Sequence, residues 1–126
     1  MAVKYTVSEK GNLLQPQQPK KWYANAKSIG DTTLRALGKE IAQRSTVSPA
    51  DTQAVLVAFT EVLTEHLSEC KIVHLGDFGA FQVSIGSEGA ETEAKFNVSM
   101  IKTKKVTFRP GIDIKEMLNN LKFEKQ

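Results

Sequence analysis

The 126-residue sequence predicts an α+β fold. It reads as a helix hairpin, a three-stranded antiparallel sheet with a long central excursion, and a short C-terminal helix, all preceded by a β extension. Three observations carry that expectation. Apolar residues recur at helical spacing from Leu34 to Leu67. After Ser68 the pattern changes to short β-prone runs. Glycine and proline punctuate the boundaries, most clearly at Gly76, Gly79 and Pro110-Gly111.

The extension comes first. Residues 3–7 (Val-Lys-Tyr-Thr-Val) alternate and are β-prone, which predicts a strand. Residues 11–19 carry Gly, Asn and two prolines, which predicts a loop. Residues 20–29 read as a second strand with Trp22, Ala24 and Ala26 on one face. Residues 1–31 are therefore taken as an N-terminal extension and residues 32–126 as the main domain.

Thr33 is a candidate N-cap for a first helix carrying Leu34, Leu37, Ile41 and Ala42. Ser45 and Thr46 end that run. Ser48-Pro49-Ala50-Asp51 is a strong restart: Ser48 caps, Pro49 suits the first helical position, and Asp51 serves as the acid of a capping box. Val55, Leu56, Phe59, Val62, Leu63 and Leu67 follow as a wide apolar face. Ile72 and Val73 open a strand, Gly76-Asp77 makes a turn, and Phe78–Ile85 makes a second strand. The polar residues 86–94 form an excursion, and residues 95–109 return as a basic, β-prone run. Pro110-Gly111 breaks it, and Asp113 is expected to cap a last helix with Ile114, Met117, Leu118 and Leu121. The excursion, about residues 84–105, has few large apolar side chains. An arm of that kind needs a partner.

Seventeen Lys and Arg face fourteen Asp and Glu, a small excess of +3. The distribution says more than the total. Residues 95–111 hold Lys95, Lys102, Lys104, Lys105 and Arg109 and no acid, the footprint expected of a polyanion-binding surface. No apolar stretch approaches the ~18–20 residues that span a membrane. The N-terminus has no apolar signal core. The one cysteine, Cys70, cannot form an internal disulfide, which fits a reducing cytoplasm. His66, Cys70 and His74 are spaced four apart, but the last falls in a predicted strand, so no metal site is assigned. No nucleophile–base pair, metal set or phosphate loop is visible, so neither an enzyme, a cofactor nor a small-molecule substrate is expected.

Two segments carry a resemblance. Val73-His74-Leu75-Gly76-Asp77-Phe78-Gly79-Ala80-Phe81-Gln82-Val83 resembles the strand–turn–strand of the HU and integration host factor family of histone-like DNA-bending proteins, with its Gly-Phe-Gly-x-Phe-x-Val core. Val106-Thr107-Phe108-Arg109-Pro110-Gly111 resembles that family's Phe-Lys-Pro-Gly segment. The helix hairpin from Thr33 to Leu67 keeps the family's spacing, and the resemblance covers about residues 33–122. It departs at the arm tip. Residues 86–99 contain no proline, and Glu88, Glu91 and Glu93 stand where the family has a basic Arg-Asn-Pro-x-Thr-Gly tip.

The resemblance implies an HU-like, intertwined homodimer that binds duplex DNA without sequence specificity and bends or compacts it in the nucleoid. The DNA-contacting candidates are Lys95, Lys102, Lys104, Lys105 and Arg109. Alternation predicts Lys102 and Lys104 on one ribbon face and Lys105 on the other. The candidates for a shared dimer core are Val55, Phe59, Val62, Leu63, Phe78 and Phe81. The acidic tip supports a second reading, an HU-fold protein–protein adaptor with weakened DNA binding.

Overall fold

The computed structural model describes residues 2–11 and 13–126; Met1 and Asn12, the latter in the predicted loop, lie outside the described residues. The chain divides into two units, one of Met1–Thr33 with Met117–Gln126 and one of Leu34–Glu116.

The first unit is a three-stranded sheet. Strand β1 (Val3–Lys10) pairs antiparallel with β2 (Lys21–Lys27), from Lys4 opposite Lys27 to Lys10 opposite Lys21. Both strands alternate, so Trp22, Ala24 and Ala26 share a face with Glu9, Val7 and Tyr5. The third strand, which the sequence pattern does not announce, is β6 (Phe123–Lys125). It runs parallel to β1, with Val3 beside Phe123 and Tyr5 beside Lys125. The Val3 N–H donates to the Lys122 carbonyl at 2.7 Å and the Gln126 N–H to the Tyr5 carbonyl at 2.9 Å, fastening both ends of the short strand.

The second unit opens with α1 (Leu34–Gln43) and α2 (Pro49–Ser68). The start of α2 follows from its first residues. Ser48 Oγ accepts from the Asp51 N–H at 3.1 Å, and Pro49 fills a position whose N–H has no helical partner. Asp51 lies in the first turn, where its charge complements the helix dipole. The two helices meet at Gly38, which is buried. A Cβ there would run into the Gln53 amide and come within 3.2 Å of Leu56 Cδ1. Gln53 also crosses between the helices, its Nε2 donating to the Arg35 carbonyl at 2.9 Å.

The C-terminus of α2 closes in a Schellman motif. The Cys70 N–H donates to the Leu67 carbonyl at 2.9 Å and the Lys71 N–H to the His66 carbonyl at 3.2 Å. Cys70 therefore adopts a left-handed conformation, φ 63°, without being glycine. Lys71 Nζ sits 2.8 Å from Glu69 Oε2, and this ammonium holds the Glu69 carboxyl below its ordinary pKa. Cys70→Gly is expected to stabilise the fold by about 1 kcal/mol, because only glycine takes that φ without a Cβ penalty. Chemical denaturation at fixed pH checks this, and a loss of stability would contradict the strain argument.

Beyond α2 lies an antiparallel sheet in the order β3-β4-β5, made of β3 (Val73–His74), β4 (Gly79–Ser87) and β5 (Ile101–Pro110). The turn between β3 and β4 has Gly76 at φ +57°, and the Phe78 N–H donates back to the Leu75 carbonyl at 3.1 Å. The helix α3 (Ile112–Asn119) follows directly on Pro110-Gly111. Asp113 lies inside its first turn rather than at its cap, and its N–H donates to the Asp77 carbonyl at 3.0 Å. The anticipated strand over residues 95–109 is shorter and starts at Ile101. Residues 93–95 and 98–100 instead form 3-10 turns, capped by Thr92 and Asn97, whose side-chain oxygens accept from the Lys95 and Ser99 N–H groups. Local capping of this kind outcompetes β propensity.

Burial is thin. Among the described residues, Ala80 is the only apolar side chain larger than hydrogen in the buried class, and no large side chain is fully enclosed. The accessible surface is 10803 Å². Compact units of these two sizes, counted apart, would expose about 8,000 Å² in all. No helix among the described residues is long and apolar enough to cross a membrane.

Candidate nucleic-acid interface

The candidate surface is the β4–β5 ribbon. Strand β3 pairs only with Ala80 and Phe81, so outward from Gln82 the sheet has just two strands. The register runs from Gly79 opposite Pro110 to Ser87 opposite Ile101. Opposed residues share a face. One face therefore carries Phe81 with Phe108, Val83 with Val106, and Ile85 with Lys104. The other carries Ala80 with Arg109, Gln82 with Thr107, Ser84 with Lys105, and Gly86 with Thr103.

The apolar face is anchored at its inner end by Phe108, whose ring lies 4.9 Å from Phe81 and 5.4 Å from Phe78. Farther out it is bare: Ile85 is 63% and Val106 54% exposed. The polar face is organised around Gln82. Its Oε1 accepts from Arg109 Nη2 at 3.1 Å, and its backbone carbonyl accepts from Thr107 Oγ1 at 3.2 Å. Arg109 is thus held, exposed, at the base of the ribbon. Ser84 Oγ is buried without a hydrogen-bond partner on this same face. Gln82 and Ser84 are the residues that the sequence reading missed. Counting cross-strand rows outward from the Gly79–Pro110 pair would have found them.

The five predicted basic residues do not form one group. Lys104 and Lys105 are exposed on opposite faces, and Arg109 shares the polar face with Lys105. Lys102 departs from the expected alternation with Lys104. The register slips between Gly86 and Ser87, which pair with Thr103 and Ile101, leaving Lys102 as the extra residue of a β-bulge. Its ammonium is 4.0 Å from Glu88 Oε1. Lys95 lies in a 3-10 turn of the tip, not in a strand, with Nζ 3.2 Å from Glu91 Oε2. The two outermost lysines therefore face tip glutamates, while Lys104, Lys105 and Arg109 make no ion pair among the described residues.

The six predicted core residues also separate. Val55, Phe59 and Val62 recur at i, i+4 and i+7 along α2 and are exposed at 63%, 44% and 49%. Leu63 is half-buried on a neighbouring stripe with Leu56 and Leu67. Phe81 is half-buried and Phe78 exposed beside Phe108. No group of three or more His, Cys, Asp or Glu side chains suited to a metal occurs among the described residues.

A helix hairpin, a short antiparallel sheet prolonged into a basic two-stranded ribbon, and a helix returning to its base define a small α+β protein of the HU-domain class. The chain belongs to the HU-HIG family, whose model, described as an HU domain fused to a winged helix-turn-helix, Ig or glycine-rich motif, matches residues 1–125. Among solved structures it is similar to one from Bacteroides vulgatus ATCC 8482, described as a "Putative bacterial DNA binding protein". The TM-score is 0.66 at 10% identity, over 98% of this chain and 48% of that one, so the chain spans about half the length of that neighbour. The search of curated proteins gave no match.

Proposed function

We propose that the chain is a non-enzymatic, duplex DNA-binding protein of low sequence specificity, acting as an HU-like homodimer that grips the duplex with two β-ribbons and bends or compacts it in the nucleoid. The observation that carries this reading is strand β5, free of acidic residues and bearing Lys102, Lys104, Lys105 and Arg109 on a ribbon only two strands wide. A two-stranded ribbon fits a DNA groove. Its cations neutralise phosphates and release counterions, a gain that depends on charge and not on sequence. Family membership supports the reading, and the name of the structural neighbour points the same way.

The division of the ribbon refines the picture. Arg109, Lys105 and Lys104 form its working base. The tip, with Lys95 and Lys102 close to Glu91 and Glu88 and no proline among residues 86–99, lacks a wedge that could open a base step. Bending here relies on neutralised phosphates and the elasticity of the duplex.

Fluorescence anisotropy on a ~30-bp random duplex at several salt concentrations tests the proposal. The expected result is a log–log slope of about −4 to −6 for a dimer making several phosphate contacts at roughly −0.9 each. No binding at low salt overturns it. The acidic tip favours the adaptor reading in that event, in which Glu88, Glu91 and Glu93 meet a basic protein partner.

A further inference from the structure

The ribbon does not account for the cations of the first unit. Strands β1 and β2 place Lys4 directly opposite Lys27 and Lys10 directly opposite Lys21. Strict alternation puts all four lysines on one face of the sheet, together with Tyr23, Asn25, Thr6 and Ser8. The Asn25 Nδ2–Ser8 Oγ hydrogen bond of 2.8 Å lies on that face and ties its centre across the two strands. Each lysine is exposed, and none is in an ion pair among the described residues. The acid in register there is Glu124, beside Lys4. The opposite face bears Val3, Tyr5, Val7, Ala24, Ala26 and Phe123, of which all but Val7 line an apolar hollow. That face is itself open to water, with Phe123 68% and Trp22 64% exposed.

Like charges directly opposite each other are unfavourable in a sheet. Here the arrangement occurs twice, at the two ends of one hairpin. We infer that this lysine face is a second nucleic-acid contact surface, which lies along the phosphate backbone of duplex DNA. Lys4 and Lys10 are six residues apart, about 20 Å along an extended strand. Such a span equals about six base-pair rises along the DNA axis. An evenly spaced line of negative charge answers two cation pairs at the two ends of one face. Tyr23, 48% exposed between the pairs, supplies a hydroxyl for a phosphate or sugar. The inference rests on the DNA-binding reading above. It adds that the N-terminal unit extends the footprint, so that two tethered surfaces engage one polymer.

The test uses the full chain with Lys4, Lys10, Lys21 and Lys27 all replaced by Gln. A second variant changes only Lys10→Gln and Lys21→Gln, and a third changes Lys104, Lys105 and Arg109 to Gln. Duplex binding is measured against salt for each. The fourfold variant is expected to bind on the order of tenfold more weakly at ~0.15 M salt, with the slope shallower by about 1–2 for the dimer; the pair should give about half that change. The thermal midpoint should be unchanged or higher, since repulsion is removed. Parent-like slopes in both sheet variants, alongside a loss in the ribbon variant, would overturn this inference and leave the DNA-binding reading standing. A parent protein that fails to bind duplex would remove both. Competition by single-stranded RNA that matches duplex and disappears with the same four lysines would overturn the duplex assignment.

Discussion

Gly111→Ala is expected to destabilise the second unit by about 3 kcal/mol, lowering its melting temperature by roughly 12–24 °C. A Cβ at this position would run into the Asp77 carbonyl group and lie 2.9 Å from the Gly79 nitrogen. All of these are backbone atoms, with no side-chain rotamer to move aside. The contact cannot be opened without losing others. The Gly111 N–H donates to the Phe78 carbonyl at 2.9 Å, and the Asp113 N–H to the Asp77 carbonyl at 3.0 Å. These two bonds fasten the start of α3 to the β3–β4 turn. Gly79→Ala should cost a similar amount, for it combines φ +151° with a Cβ only 2.5 Å from the Arg109 carbonyl oxygen and 2.6 Å from Phe108 Cε1. Gly89→Ala is the control, because no atom lies within 4 Å of a Cβ there and its φ is unrestrictive. Calorimetry of the three variants decides the point. Equal midpoints for Gly111→Ala and Gly89→Ala would show that the close approach is not holding the fold.

This interlock explains why two motifs some thirty residues apart in the sequence point to the same architecture. Phe78-Gly79 and Pro110-Gly111 are one structural unit, joined by the Gly79–Pro110 row and by the Gly111–Phe78 bond. The helix hairpin was legible for a local reason too: Ser48 and Pro49 specify a helix start regardless of their surroundings. What escaped notice depends on distant partners. The three residues of β6 are all exposed, and nothing in Phe-Glu-Lys announces a strand; the parallel pairing with β1 creates it. The tip was misread for the opposite reason. Residues 95–100 have β-prone side chains, but the Thr92 and Asn97 caps turn the backbone first. At the candidate interface, residue types were legible and their grouping was not. The bulge that displaces Lys102 towards Glu88 follows from register, which a one-residue slip resets, and Lys95 meets Glu91 through the local turn of the tip.

Phe59→Asp is expected to abolish self-association at micromolar concentration. Val55, Phe59 and Val62 form a continuous apolar stripe on α2, separate from the Leu56, Leu63 and Leu67 stripe that is half-buried within the chain. A helix apolar on two sides needs a second covering surface. The chain exposes far more area than compact units of its size, so the deficit concerns the whole core and not one helix. A second copy of the same stripe is the simplest cover, and a two-fold axis would place Phe59 at or near itself. Removing the phenyl group forfeits about 2 kcal/mol per chain, and burying an unpaired carboxylate adds at least as much. Because two-fold symmetry counts each change twice, the dissociation constant should rise on the order of a millionfold. Sedimentation equilibrium measures this directly. The parent's melting temperature should also climb with protein concentration, as it does when folding and association are coupled. Val62→Ala, which removes apolar area without adding charge, should weaken the dimer about tenfold per chain while leaving a folded protein. A parent that sediments as a monomer, with a midpoint independent of concentration, would refute the shared core and leave the ribbon to act from a single chain.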